Sequence, residues 1–197
     1  MTRFFLSVMF LTSIALNLSA QTGAPFPQNA TDISPLLIGE QIPDIVLKNV
    51  NGEAVSIHQL FKNKPTLLIF YRGGWCPFCN KHLAELQAIE SDIHHLGYQI
   101  VAISPDAPHS LKESLDKHTL TYQLLSDSKM ALSQATGIAF AVKESAKQRL
   151  SEASGGDNPG LLPVPTVMVL NQNSEILFEY INPDFKKRVS GDLLLGV

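Results

Sequence analysis

The chain has 197 residues and a mass of 21.6 kDa, and 45% of its residues are hydrophobic. This is enough apolar material for one well-buried domain with appendages. The formal net charge of -3 and the pI near 6.0 describe a mildly acidic protein, and its sequence has no basic stripe. We therefore expect no nucleic acid partner and no anionic membrane surface as the main partner. A small molecule or another protein is expected instead.

The first twenty residues have the layout of a secretory signal peptide. Arg3 precedes an apolar run over residues 4–18, and Ser19 and Ala20 precede the polar Gln21. This layout predicts cleavage after Ala20 and export across the inner membrane, with the mature protein in the periplasm. An uncleaved membrane anchor is the alternative, although a run of about 15 apolar residues is shorter than the roughly 20 that a spanning helix needs. We expect no stable membrane insertion after cleavage.

Residues 21–40 contain Gly, Pro, Asn and Gln without periodicity and are predicted to form a flexible tether, with one domain over residues 41–197. The elements predicted for this domain are a β-hairpin over 44–56, a short helix capped by Ser56, strands over 66–71, 98–104 and 122–125, helices over 77–96, 105–118, 128–135 and 141–153, a loop over 154–163, and a hairpin of strands 166–170 and 176–181. This order predicts an α/β fold in which helices flank a central mixed β-sheet, with an N-terminal β-hairpin.

The two cysteines of the chain, Cys76 and Cys79, both lie in the stretch YRGGWCPFC, between a predicted strand and a predicted helix. A helix amino terminus favours the thiolate, which is the reactive form of a cysteine. Cys79 lies one turn further on and could resolve a sulfenic acid or mixed disulfide at Cys76. Pro77 stiffens the segment, while Gly73 and Gly74 present no side chain where a partner backbone would approach.

Two other interpretations of the cysteines remain open at this point. A structural disulfide over so short a loop would constrain the unfolded chain little. A metal site built from Cys76, Cys79 and His82 would lack the second cysteine pair that usually completes a tetrahedral shell. Redox catalysis is therefore the favoured interpretation of the cysteine pair.

The sequence resembles the peroxiredoxin-like branch of the alkyl hydroperoxide reductase and thiol-specific antioxidant family, within the thioredoxin-like superfamily. The resemblance covers about residues 38–190. It rests on Pro43-Asp44 with the turn that follows, on LLIFYRGGWCPFCNKHLAEL, and on PVPTVMVL followed by EYINPDFKKR. It implies a thioredoxin-like fold and a Cys76–Cys79 redox-active disulfide. It implies no cofactor, and a thioredoxin-like or membrane-derived thiol as electron donor.

The resemblance also makes a claim about the segment before the penultimate strand. It implies that the Val164–Pro165 peptide bond is cis and faces the cysteine pair. Val164 would then pair with the backbone of a substrate. Such a bond is uncommon even before proline, so the expectation is specific.

The sequence departs from the family at several positions. Typical peroxiredoxins have a proline seven places and a threonine three places before the attacking cysteine, where this chain has Ile69 and Gly73. The family arginine before the penultimate strand is replaced by Pro165. The buried aspartate of typical thioredoxins, six places before the first cysteine, is replaced by Phe70.

Two arginines could substitute for the missing cation. Arg72 lies closest to the cysteines in sequence and is the first candidate, and Arg188 is a weaker one. Trp75, the single tryptophan, is expected either to cover the cysteine pair or to be a partly buried core residue.

Three functions remain at this stage. The first is a thiol peroxidase that reduces hydroperoxides through Cys76. The second is a dithiol–disulfide oxidoreductase that acts on protein disulfides in an oxidising compartment. The third is a non-enzymatic redox sensor or binding module. The resemblance favours the first, while the Cys-x-x-Cys pair and Gly73 support the second.

Overall fold

The computed structural model describes residues 26–197, so the expected signal peptide lies outside the described residues. The elements of this part, in chain order, are β1 (Val46–Asn49), β2 (Ala54–Ser56), α1 (Ile57–Asn63), β3 (Thr66–Phe70), α2 (Pro77–His95), β4 (Gln99–Ser104), α3 (Pro108–His118), β5 (Gln123–Ser126), α4 (Ala131–Ala135), β6 (Ala139–Ala141), α5 (Glu144–Ala153), β7 (Leu161–Pro163), β8 (Thr166–Leu170), β9 (Ile176–Ile181) and α6 (Gly191–Leu195).

One mixed sheet of seven strands organises the domain, with the strand order β2-β1-β5-β4-β3-β8-β9. Strands β3, β4 and β5 are parallel, whereas β8 and β9 extend the sheet in antiparallel pairing on one side. On the other side the β1–β2 hairpin pairs antiparallel with β5. The predicted α/β class, with a central mixed sheet and an N-terminal hairpin, is therefore confirmed.

Strand β3 is buried on both faces because helices cover both sides of the sheet. Leu67 and Ile69 pack into the core on the side of α2, where they join Leu83. Leu68 and Phe70 point the other way, into the core that α1 closes. This alternation explains the continuous apolar run in the sequence. It also holds the end of β3 rigidly, and the cysteine loop follows directly from that end.

The prediction of a loop over residues 154–163 was wrong for its last three residues. Leu161–Pro163 forms β7, which pairs antiparallel with β6 over Ala139–Ala141 in a separate two-stranded sheet. Each strand is only three residues long, too short to show a period of two in the sequence. The pair continues by one bond, since the Val164 N–H donates to the Ile138 carbonyl at 2.9 Å.

The described part of the expected tether, residues 26–40, lies against the domain. Ile33 and Leu36 pack on the core on the side of α1. The Ser34 N–H donates to the Gly137 carbonyl at 3.2 Å, and that glycine adopts a positive φ of 71°. The scattered apolar residues of this segment thus have partners that are distant in the sequence. The packed part of the chain begins earlier than the predicted boundary at residue 41.

Candidate active site

The loop between β3 and α2 is fixed by backbone hydrogen bonds. The Cys76 N–H donates to the Gly73 carbonyl at 3.1 Å, which closes a tight turn before the helix. The Asn80 side-chain amide reaches back from the first turn of α2 to the Gly74 carbonyl at 2.8 Å. The loop is therefore fastened to the helix that carries the second cysteine.

Both cysteines are reduced and buried, with exposed fractions of 1% for Cys76 and 0% for Cys79. Cys76 is the N-cap residue of α2, and Pro77 follows at the first helical position, where no N–H is needed. The backbone N–H groups of Cys79 and Asn80 both donate to the Cys76 carbonyl at 3.0 Å. The two thiols thus lie one helical turn apart at the positive end of α2.

The two thiols have opposite acidities. The Cys79 thiol donates a hydrogen bond to Cys76 and, with the Cys79 backbone N–H and the charges of Arg72 and Arg188, lowers the pKa of Cys76 to about 6 against the effect of burial. The same hydrogen bond and burial raise the pKa of Cys79. At neutral pH Cys76 is therefore mainly a thiolate and Cys79 a thiol. This division matches an attacking and a resolving cysteine.

Arg188 contacts the cysteine pair directly. Its Nη2 lies 3.4 Å from the Sγ of Cys79. Its Nη1 donates to the carbonyl of Phe185 and, at 2.7 Å, to that of Lys187. These bonds hold the guanidinium in one orientation, although it comes from the segment between β9 and α6. Sequence position favours Arg72 over Arg188, but in the structure it is the guanidinium of Arg188 that contacts a sulfur.

Arg72 lies among aromatic rings at the entrance of the site. Its Cζ is 4.2 Å from the centre of the Phe185 ring and 5.2 Å from that of Trp75. The guanidinium of Arg149 lies 5.8 Å from the same indole. The two arginines and Trp75 thus form a cationic, aromatic cover beside the cysteine loop. Trp75 is partly buried and packs against the core cluster that contains both cysteines, as expected for a partly buried core residue.

Gly73 and Gly74 are in positions that cannot hold a side chain. Gly73 has a φ of 136°, and a Cβ there would collide with the indole of Trp75 and come within 2.7 Å of Asp106 Oδ1. A Cβ on Gly74 would collide with Ser114 Oγ. The threonine that typical relatives carry at the position of Gly73 therefore does not fit this loop.

Asp106 is a site residue that the sequence analysis missed. Its Oδ2 accepts a hydrogen bond from the Gly74 N–H at 2.7 Å, and the residue is 1% exposed. Burial raises the pKa of Asp106 to about 6, while the hydrogen bond from the Gly74 N–H opposes the rise. Pro105-Asp106 was interpreted as a helix start, whereas α3 begins at Pro108. The available signal was that Asp106 follows β4, whose carboxyl end meets that of β3 at one edge of the sheet.

The expected cis bond at Val164–Pro165 was wrong, because the described chain contains no cis peptide bond. Val164 remains in the extended β6–β7 pairing, which uses its N–H, and its carbonyl accepts from Thr166 Oγ1 at 2.9 Å. The backbone of Val164 is thus already occupied and does not offer the pairing expected for a substrate backbone.

Between residues 26 and 197 no three His, Cys, Asp or Glu side chains are grouped to hold a metal ion. His82, which a metal site would have used, is buried on α2. Burial and then the charge of Arg188 lower the pKa of His82 to about 4. It is therefore neutral at physiological pH and adds no charge to the site.

The AhpC/TSA family model matches residues 38–178, and the chain belongs to this family. A candidate peroxiredoxin, bcp, from Haemophilus influenzae is 32% identical over 106 residues, covering 54% of this chain and 68% of that protein. The thiol-disulfide oxidoreductase ResA from Halalkalibacterium halodurans is 24% identical over 174 residues, covering 87% of this chain and 81% of that protein. The crystal structure of reduced Prx3 from Vibrio vulnificus in complex with hydrogen peroxide superposes with a TM-score of 0.70 at 16% identity, covering 82% and 94% of the two chains.

These similarities confirm the thioredoxin-like fold and the predicted family. The chain is an enzyme of thiol redox chemistry, either a thiol peroxidase or a thiol–disulfide oxidoreductase. The third possibility, a non-enzymatic module, has no relative among these proteins.

The acidity of Cys76 gives a first prediction. The rate of Cys76 alkylation by iodoacetamide should rise with pH around a midpoint near 6, since only the thiolate reacts. In Cys79→Ala the midpoint should move up by about one unit or more, because the largest stabilising contact is lost. Cys79→Ser keeps a hydroxyl donor and serves as the control, with a smaller shift. Equal midpoints in all three proteins would contradict the assignment of Cys79 as the hydrogen-bond donor.

Proposed function

We propose that the protein is an exported thiol peroxidase that reduces hydroperoxides through Cys76. The Cys76 thiolate attacks the terminal peroxide oxygen, the O–O bond breaks, and the leaving alkoxide or hydroxide takes up a proton. Cys76 becomes a sulfenic acid while the peroxide is reduced to an alcohol or water. The Cys79 thiol then attacks the sulfenic sulfur, which forms the Cys76–Cys79 disulfide and releases water.

The observation that carries this proposal is a buried thiolate beside two guanidinium groups, with its resolving thiol one turn away. Negative charge develops on the leaving oxygen, and fixed cations near it stabilise that charge. Arg72 and Arg188 are the cations of this site. A thioredoxin-like or membrane-derived dithiol would then return two electrons and two protons to the disulfide.

The second candidate is a thiol–disulfide oxidoreductase. It is supported by the similarity to ResA over 87% of the chain and by the Cys-x-x-Cys spacing. In this case Cys76 attacks a disulfide sulfur of a protein, and Cys79 resolves the mixed disulfide. Both candidates use the same two cysteines and differ in the atom that Cys76 attacks.

The two proposed functions can be distinguished by mixing the reduced protein with hydrogen peroxide and, in a parallel reaction, with insulin disulfides. We expect peroxide to oxidise both thiols at least about 100-fold faster than free cysteine, because the site supplies the thiolate and the cations. Cys76→Ser should abolish the reaction, and Cys79→Ser should stop at a sulfenic acid that dimedone traps. A peroxide rate equal to that of free cysteine, with rapid insulin reduction, would establish the second candidate.

A cavity of about 370 Å³ beside Arg72 suggests room for an organic hydroperoxide. Its walls include the apolar Phe140, Leu162, Pro165 and Phe185, together with Lys143. An apolar substituent of a hydroperoxide would leave water on entering it. We infer that the enzyme accepts bulky organic hydroperoxides as well as hydrogen peroxide.

Filling the cavity tests this inference. Ala146 lines the cavity from α5, and Ala146→Trp should lower the rate with cumene hydroperoxide by about tenfold, corresponding to about 1.4 kcal/mol of lost binding, and leave hydrogen peroxide unaffected. Ala88→Trp, at an exposed position of α2 outside this cavity, is the matched control and should change neither rate. An equal loss with both peroxides in Ala146→Trp would show that the cavity does not bind the organic group.

Export is supported by the amino-terminal sequence, with Arg3 before the apolar run and Ala20 before a polar segment. Within residues 26–197, no helix has the length and apolarity to cross a bilayer. Fractionation of expressing cells should therefore recover the protein in the periplasm, and mass spectrometry should find Gln21 at the amino terminus. A full-length chain in the membrane fraction would instead indicate an uncleaved anchor.

A further inference from the structure

Asp106 is fixed behind the cysteine loop by contacts from two parts of the chain. The Asp106 N–H donates to Ser104 Oγ at 3.2 Å, and Oδ2 accepts from the Gly74 N–H at 2.7 Å. The loop from Gly73 to Trp75 thus rests on a carboxylate delivered by the neighbouring strand β4. A buried carboxylate bonded to a backbone N–H restrains that backbone strongly.

Among residues 26–197, Oδ1 of this carboxylate and the indole N–H of Trp75 are both unpaired. Within the described part of the chain, neither Asp106 Oδ1 nor Trp75 Nε1 has a hydrogen-bond partner, although both atoms are buried. The two atoms border the same space, which is the space that a side chain on Gly73 would occupy. A donor and an acceptor thus lie within 2.7 Å of one point beside Gly73, each at the cost of an unmade hydrogen bond.

Disulfide formation requires the loop to move. The two sulfurs must come from hydrogen-bonding distance to about 2 Å, with a restricted torsion about the new bond. Cys79 is held within α2, whereas Cys76 caps the helix and is joined to the Gly73-Gly74 segment. The segment that moves is therefore the loop that carries Trp75.

We propose that Asp106 is a positioning residue for the cysteine loop, which holds Gly74 in the reduced enzyme and also accepts the Trp75 indole N–H when the Cys76–Cys79 disulfide forms. In the reduced enzyme the Gly74 bond sets the position of Cys76 at the helix terminus. In the oxidised enzyme the second bond satisfies both unpaired groups and stabilises the moved loop. The inference rests on the proposed function only in requiring that the disulfide forms.

Three variants separate the two hydrogen bonds. Asp106→Ala removes both. Asp106→Asn keeps an oxygen for Gly74 but turns an amide NH₂ toward the indole N–H, so it removes only the second. Asp127→Ala is the matched control, since Asp127 is a buried carboxylate after β5 whose bonds run to Leu132 and Ser133 and not to the loop.

Trp75 is the only tryptophan, so intrinsic fluorescence reports on the loop without ambiguity. Oxidation with diamide should shift the emission of the wild-type protein and of Asp127→Ala to longer wavelength, because a carboxylate acceptor stabilises the excited indole. Asp106→Asn should lose this shift while its Cys76 alkylation rate stays within about twofold of wild type. Asp106→Ala should lose the shift and also react about tenfold more slowly with iodoacetamide.

Two results would overturn the proposal: a redox-dependent emission shift retained in Asp106→Asn, or equal alkylation rates in Asp106→Ala and Asp127→Ala. Asp106→Asn preserves volume and the Gly74 bond, so it remains informative if the alanine variant does not fold. Diamide and iodoacetamide involve no hydroperoxide. A protein inactive toward peroxides would therefore refute the proposed function and leave this test intact.

Discussion

The negative charge on buried Cys76 is the constraint on which the rest of the site depends. A buried charge is costly unless hydrogen bonds and opposite charges compensate it. Here the compensation comes from the Cys79 thiol, from the amino terminus of α2 and from the guanidinium groups of Arg72 and Arg188. Cys79, the start of α2 and Arg72 belong to or adjoin the cysteine segment, whereas Arg188 comes from the segment between β9 and α6, 109 residues from Cys79. The thiolate therefore depends on the completed fold and not on the Cys-x-x-Cys segment alone.

The same constraint explains why the loop departs from the sequence of typical relatives. Trp75, Ser114 and Asp106 crowd the inner side of Gly73 and Gly74, which leaves no room for a Cβ at either position. A threonine side chain cannot be placed at Gly73, so the groups that face the Cys76 thiolate come from outside that position. Arg188, held by the carbonyls of Phe185 and Lys187, supplies a fixed guanidinium against Cys79.

The local features of the fold were predictable from the sequence and the long-range ones were not. The apolar run of β3 and the helical spacing after Pro77 are periodic signals, and they located the cysteines at a strand–helix junction. The β6–β7 pair and the packing of Ile33 depend on partners distant in sequence and carry no periodicity of their own. Asp106 was missed for the same reason, because its contact with Gly74 spans 32 residues and a Pro-Asp pair is also typical of a helix start.

The burial of both sulfurs bears on the choice between a peroxide and a protein disulfide as oxidant. With exposed fractions of 1% and 0%, Cys76 and Cys79 are closed to the backbone of a folded partner in the reduced state, whereas a hydroperoxide group needs only a narrow approach. The reduced site thus admits a hydroperoxide group more readily than the backbone of a folded protein. The proposed electron donor would have to reach a sulfur of the disulfide, and both sulfurs are buried in the reduced protein. In the proposed rearrangement the loop moves while Asp106 keeps it attached to the end of β4, so β3 and α2 need not move.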